Sequence, residues 1–402
     1  MAQVLLSGPS EMIGPISSLH CLFSYDNKLG GAVHAALNVC KYLARGGQSV
    51  EAVAPYDKRD EVQYLADNYP EVTCRKVARS FPQRFSNSRE LEAWLRSNLH
   101  RFNVVEIHGV WVFAAWHVAR VCQELGKPYF IRPHGSLDPF DLQKHAFLKR
   151  CIGPFYIRWL LRNAAGVVCT AKLEADRLVT YGANPPRYVV PLPVPLAEHR
   201  GNGPSFRLRH GIPRDAQVIL FLSRVDYKKG LDFIIPAVGA LKREYPRLWF
   251  LLAGTGTTEF MSRVHDWIDE YQIRPFTTEV GFVTGPDKLD AFAAADVFAL
   301  PSLNENFGIV NIEAMHAGLP ILISEEVYIC REIEQAHAGL VCQPNVESVK
   351  AKIRDLLGGN INLQQMGQCG RDLVQQRYRP ESATRALVEL YARTLAVTPN
   401  AM

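Results

Sequence analysis

Two carboxylates eight residues apart lie in the stretch PSLNENFGIVNIEAMHAGLP, residues 301–320. The stretch follows the apolar run Val297 to Leu300 and reads as strand, polar loop, then helix. Glu305 falls in the loop and Glu313 about two helical turns further on, so both can project toward one crevice above the strand end, where they would accept sugar hydroxyls. Phe307, Gly308 and Ile309 open the helix. Its first N–H groups and its dipole favour an anion, and Gly308 lets a ligand approach the backbone. A diphosphate fits that description. Read singly, Glu305 is an ordinary loop acid, Glu313 a solvated helix residue and Gly308 a turn glycine.

Cations stand upstream in SRVDYKKGLD, where Arg224 follows the run Val218 to Ser223 and Lys229 comes five residues later, before a glycine and a new helix. A guanidinium and an ammonium at one strand end can neutralise a nucleotide diphosphate and stabilise the charge that grows as a sugar leaves it. A solvated basic loop is the plain alternative, of which Lys228 is the better example. In AGTGTTEF, Gly254 and Gly256 end another strand and would permit close backbone approach to a nucleotide. No third glycine and no acidic strand end follow at dinucleotide spacing, which disfavours a nicotinamide site. Gly30 and Gly31 precede a helix whose Val33, Ala36, Leu37, Cys40 and Leu43 should face the core, leaving free N–H groups for an anion. In RPHGSLDPF, His134 leaves the run Tyr129 to Arg132. It is preferred as a site residue over His108 of VVEIHG, although a single histidine is usually structural.

These residues need strand ends to hold them. Short β-branched or aromatic runs alternate with longer helix-spaced stretches along the whole chain, the pattern of parallel sheets covered by helices. The runs of the first half are 49–54, 104–108, 129–132, 166–170 and 188–191, and those of the second are 218–223, 249–254, 279–283, 296–302 and 320–324. A length of 402 residues suits two such domains. PLPVPLAEHRGNGPS, residues 191–205, reads as an exposed linker. The expected division is 1–195, 196–380 and a final helix with tail, 381–402, packing back on the first domain.

Composition narrows the classes. Hydrophobic residues make up 48% and charged residues 21%, which is ordinary globular composition. A net charge of +5 is spread out, which argues against a nucleic-acid binder. The nine cysteines are scattered without a C-x-x-C pair and read as reduced core residues. The amino terminus has no basic n-region and no run reaches spanning length, so a cytoplasmic protein is expected. There is no D-x-D and no His or Cys cluster with metal-ligand spacing, so neither metal nor other cofactor is expected. The basic and aromatic segment 142–163 is read as a core-packed helix pair, with peripheral contact at an anionic membrane face as the alternative.

The E-x7-E block, its PS-x-x-E-x-FG and EAM-x-x-G-x-P surroundings, R-x4-K-G, the glycine-pair loop, H-G-x-L-D-P and Glu174 in CTAKLEADRL together resemble glycosyltransferase family 4, in particular its exopolysaccharide and lipopolysaccharide enzymes. The resemblance covers nearly the whole chain. It departs at VVPLPVPL, where the family commonly has a P-N-G-V turn. It implies a GT-B fold, two doubly wound Rossmann-like domains facing an interdomain cleft, and retaining, metal-independent transfer of a hexose from a nucleotide-diphosphate sugar to a saccharide or lipid-linked acceptor. By the same resemblance, Arg224 and Lys229 clamp the pyrophosphate, Glu305 positions the donor sugar, and His134 contacts the transferred hexose. Gly30, Gly31, Gly254, Gly256, Asn306, Phe307, Gly308, Ile309 and Glu313 line the donor site, with Glu313 on the ribose. An epimerase or phosphorylase on the same fold, or a non-catalytic sugar-binding protein, is the competing reading.

Overall fold

The computed structural model describes residues 3–4, 14–26 and 31–397. The chain forms two compact units, one running to Pro195 and taking in the chain again from Arg379, the other Leu196–Tyr378.

The first unit holds a fully parallel sheet of β1 (Gln3–Val4), β2 (Ser17–Cys21), β3 (Ser49–Tyr56), β4 (Thr73–Ala78), β5 (Val104–His108), β6 (Tyr129–Arg132), β7 (Gly166–Cys169) and β8 (Arg187–Val189). Their order is β1-β8-β7-β6-β5-β2-β3-β4, so the connections reverse direction between β2 and β5. Helices cover both faces, and successive residues of β3 serve different cores: Val53 packs with Leu19, Ile107 and Leu160, whereas Ala52 and Ala54 pack with Leu37 and Cys40.

The second unit is also fully parallel, with β9 (Gln217–Leu222), β10 (Leu248–Ala253), β11 (Thr277–Gly281), β12 (Val297–Leu300), β13 (Ile321–Ser324) and β14 (Gly339–Cys342) in the order β11-β10-β9-β12-β13-β14. Here the reversal lies between β9 and β12. The loops leaving a parallel sheet on either side of such a point diverge and open a crevice at the carboxyl ends of the strands. The loop after β9 carries Arg224 and Lys229, and the loop after β12 carries Glu305 and Gly308.

Three differences from the sequence expectation have physical causes. The segment read as an exposed linker is buried over Pro191 to Val194, and the helix Gly203–Arg209 starts before it ends, with Pro204 in the first turn where a missing N–H is tolerated. The strands β1, β2, β4 and β14 are not among the expected runs: SSLHC in β2 carries buried Ser18 and His20, and β4 is an edge strand with exposed Arg75 and Lys76. Third, 142–163 is not a core-packed pair. The helix Tyr156–Arg162 buries Ile157, Leu160 and Leu161, but Ala146–Ile152 buries nothing. The last helix, Pro380–Val397, belongs to the first unit and buries Leu387, Leu390 and Tyr391 there.

Candidate functional site

In the second unit, the loops after β9 and β12 are tied together. The Leu303 amide donates to the Lys228 carbonyl at 2.7 Å. Gly230, with φ +77°, sits so close that a Cβ would lie 2.4 Å from the Pro301 carbonyl oxygen. On this joint Lys229 Nζ makes an ion pair with Glu305, both side chains largely shielded from solvent. The backbone of Glu305 is fixed on its other side, its amide donating to the Glu326 carbonyl at 3.1 Å and its carbonyl accepting from Tyr328 at 3.0 Å. Arg224 is different: its side chain is 73% exposed and only 3.7 Å from Asp226, a cation held loosely and open to a ligand.

A cleft of about 720 Å³ opens beside Arg224, lined by Ser223 to Asp226, Ala253 to Thr257, Phe282 to Thr284 and Lys288. Gly254 and Gly256 are in its wall. Their need for glycine comes from the protein itself, because a Cβ at Gly254 would lie 1.9 Å from the Ser223 carbonyl oxygen and one at Gly256 2.2 Å from that of Val225. Lys288 Nζ reaches Glu313 at 2.6 Å, which links the acid of the helix to the cleft wall.

The helix Ile309–Ala317 begins after Gly308, whose φ of +67° few other residues tolerate. The amides of Ile309 and Val310 find no acceptor among the described residues, so two donors remain at a helix start. The Phe307 ring is buried against Tyr378, leaving only its backbone for a ligand. Asn306 is partly buried and already bonded within the chain. Asn311, fully buried, has neither side-chain polar atom bonded, and its Nδ2 lies 2.3 Å from where a Gly308 Cβ would be.

In the first unit β2, β5 and the loop after β6 bring three imidazoles into a row. His20 of β2 and His108 of β5 are 3.0 Å apart, His108 and His134 are 3.0 Å apart, and Ser18 closes the far end at 3.3 Å from His20. Glu106 of β5 sits beside them, taking the Arg132 guanidinium at 2.5 Å and the Tyr391 hydroxyl of the last helix. Burial holds His20 down to about 4 and His134 to about 3, and pushes His108 well below the usual imidazole range. The Arg132, His108 and His20 neighbours keep the Glu106 carboxyl well below the usual range despite its burial. Glu174 steadies the His134 turn, accepting from the Gly135 amide at 3.0 Å and from the Thr170 amide at 2.6 Å. Ligand atoms of His20, Glu106 and His108 lie within 4.8 Å of one another, a cluster that linear spacing could not show. Each is already engaged, and Arg132 supplies the positive charge that an ion would bring. Gly31 is exposed at the start of the helix Gly31–Arg45, with nothing within 4 Å of where a Cβ would stand, and Val33, Ala36, Leu37, Cys40 and Leu43 are buried as the spacing predicts. Gly30 lies outside the described residues.

Two family models match. Residues 30–193 fit the glycosyl transferase 4-like domain and residues 204–373 the glycosyl transferases group 1, one on each unit and together most of the chain. The chain belongs to the family 4 type glycosyltransferases. Curated relatives of this glycosyltransferase include an uncharacterised glycosyltransferase of Methanocaldococcus jannaschii, 35% identical over 30% of both chains. Another is the D-inositol 3-phosphate glycosyltransferase of Paenarthrobacter aurescens, 28% identical over 45% of this chain and 46% of that one. This glycosyltransferase thus spans half or less of the length of those relatives in the match. Among solved structures, sucrose-phosphate synthase from Thermosynechococcus elongatus superposes with a TM-score of 0.76 at 19% identity, covering 95% of this chain and all of that one. Anabaena HepE in complex with UDP also gives 0.76, at 15% identity over 94% of this chain. At these identities the likeness shows the fold, which is GT-B.

Lys288, Asn311 and the Glu106–Tyr391 pair were missed in the sequence. Lys288 looks like any helix lysine, and Asn311 lies inside the E-x7-E block with nothing in its spacing to mark it. Tyr391 lies 285 residues from Glu106, beyond any local pattern.

Proposed function

We propose that this glycosyltransferase is a retaining, metal-independent hexosyltransferase that uses a nucleotide-diphosphate sugar as donor and a saccharide or lipid-linked molecule as acceptor. The observation that carries the reading is the joint at the switch point of the second unit, where Lys229 pairs with Glu305 while the exposed Arg224, on the same loop as Lys229, lines a cleft of nucleotide size. Arg224 and Lys229 would share the pyrophosphate charge, and the free amides of Ile309 and Val310 would add donors to it. Glu305, released from part of its pairing, would orient the hexose. Glu313, positioned by Lys288, would take the ribose hydroxyls, with Gly254 and Gly256 beside the nucleotide. His134 and Gly31, in the first unit, are assigned to the hexose and phosphate by family resemblance.

In this scheme the acceptor oxygen attacks the anomeric carbon from the face the diphosphate leaves. The C–O bond to phosphate breaks, the leaving phosphate oxygen takes the acceptor proton, and configuration is retained without a protein nucleophile. The side-chain cations do the work a divalent ion would do elsewhere. The solved HepE complexes contain UDP and UDP-glucose, which makes the uridine donors the first to test. Nine free cysteines suit a reducing, cytoplasmic setting.

The test is calorimetric or thermal-shift titration with UDP, GDP, ADP and their common sugar conjugates, followed by product analysis. Preferential binding of one nucleotide and acceptor-dependent release of it are expected. Donor conversion without acceptor would indicate an epimerase, a requirement for free phosphate a phosphorylase, and binding without turnover a sugar-binding protein. Absence of nucleotide binding would overturn the reading.

A further inference from the structure

The helix Ala146–Ile152 of the first unit is built inside out. A helix lying on a soluble domain turns its apolar stripe inward and its charges to water. Here Phe147 is 84% exposed, Leu148 45% and Ile152 41%, and Phe155 in the turn that follows is 80% exposed. Positions 147, 148, 151 and 152 fall on one arc of the helix, so the apolar surface is continuous. Lys149, by contrast, points inward, donating to the Asp141 carbonyl at 2.8 Å and standing 5.4 Å from the centre of the Trp111 ring. Burying an ammonium stem and exposing two phenylalanines costs stability in water unless the apolar face is covered.

The charge around this face says what covers it. No acidic residue occurs from 142 to 173, while Arg150 of this helix and Arg158 and Arg162 of the next are exposed. A protein partner would meet protruding rings and exposed guanidinium groups, while the acid nearest in sequence, Asp141, is already taken by Lys144 and Lys149 and does not fix a register. An anionic lipid surface needs no register: rings enter the boundary between headgroups and acyl chains, and guanidinium groups reach back to phosphates.

We propose that this glycosyltransferase docks peripherally on an anionic membrane through Phe147, Leu148, Ile152 and Phe155, with Arg150, Arg158 and Arg162 on the lipid phosphates. The first unit would then lie against the bilayer without crossing it, and among the described residues no helix is long and apolar enough to cross. The proposal stands apart from the transfer reading, because vesicle binding is measured with no nucleotide present.

The experiment is vesicle flotation of the full chain with phosphatidylcholine alone and with phosphatidylcholine containing phosphatidylglycerol. Co-flotation with the anionic vesicles, absent with neutral ones, is expected. Phe147→Ser with Phe155→Ser, at positions too exposed to hold the fold, should weaken it by at least about tenfold, and Arg150→Glu with Arg158→Glu by about fivefold for each cation lost. No flotation, equal flotation with neutral vesicles, or undiminished flotation of the double serine variant would each overturn the proposal. So would a lipid-free dimer in analytical ultracentrifugation that the serine variant dissolves, which would make a second copy the occupant. Unchanged thermal unfolding of the variants shows that the fold is intact.

Discussion

Acidification from about pH 7 to about pH 5 should loosen the first unit, and the histidine row sets how much. His20 is fully buried and held at about 4, against 6.5 for a free imidazole. Its folded pKa is depressed, so its contribution to stability is complete above the unfolded value and is lost as pH falls toward the folded one. At about pH 5 an unfolded histidine is almost wholly protonated and His20 about a tenth so, a difference of about 2 kcal/mol. His108 is equally buried and is also held below the free value by its burial, so it acts with the same sign. His134 is only half-buried and adds less after screening. The His20 contribution alone is a large share of a typical domain stability of about 5–15 kcal/mol. Hydrogen exchange followed by mass spectrometry reads this on peptides covering 17–21 and 104–108, after correction for the intrinsic pH dependence of exchange. Protection there should fall by at least about thirtyfold for His20 alone. Protection in these strands that stays level, or rises with acid, would refute the assignment of neutral buried imidazoles.

Four further outcomes follow from the geometry. Lys229→Ala should lower turnover by about a hundredfold or more with little loss of fold, and wild-type kcat in a well-folded variant would refute the clamp. Lys288→Ala frees Glu313 from its anchor and should weaken nucleotide affinity severalfold in calorimetry while leaving Tm almost unchanged, since the pair is only partly buried. Gly308→Val puts a Cβ against Asn311 and Glu305 at positive φ, so it should abolish donor binding by displacing Glu305 and also lower Tm; unaltered donor affinity would count against the placement. Tyr391→Phe removes a hydroxyl from a buried carboxylate and should cost about 1–3 kcal/mol in denaturant unfolding of the first unit.

Much of the donor half was legible because its determinants are local. Strand, loop and helix of residues 297–317 follow from an apolar run, a polar loop and a left-handed glycine, all within one stretch. The partnerships were not. Lys229 and Glu305 carry separate tasks in the sequence reading, and it takes the Leu303–Lys228 hydrogen bond, the close approach of Gly230 to Pro301 and their own ion pair to show that their loops form one joint. In β2 the residues Ser18 and His20 hide a central strand, because their polar side chains are satisfied by one another and by His108 of β5 rather than by water. The residues 191–194 mislead in the opposite direction: prolines announce a linker, while their burial depends on packing that the local sequence does not state. Segment 142–163 was misread for a related reason, since its periodicity is that of an amphipathic helix whichever side faces the core.

The three imidazoles in a row are kept uncharged, and each neutral ring has one hydrogen to give and one lone pair to receive it. With every link made, the row has two arrangements only, all hydrogens pointing toward Ser18 or all pointing toward His134. Ser18 has a single hydroxyl hydrogen and no partner but His20 among the described residues, so giving that hydrogen inward leaves no donor idle. The orientation then propagates ring by ring and leaves His134 offering a hydrogen, rather than a lone pair, at its outer nitrogen. A serine in the middle of the sheet thus writes the polarity of the loop two strands away, and the signal that reaches it is direction without charge.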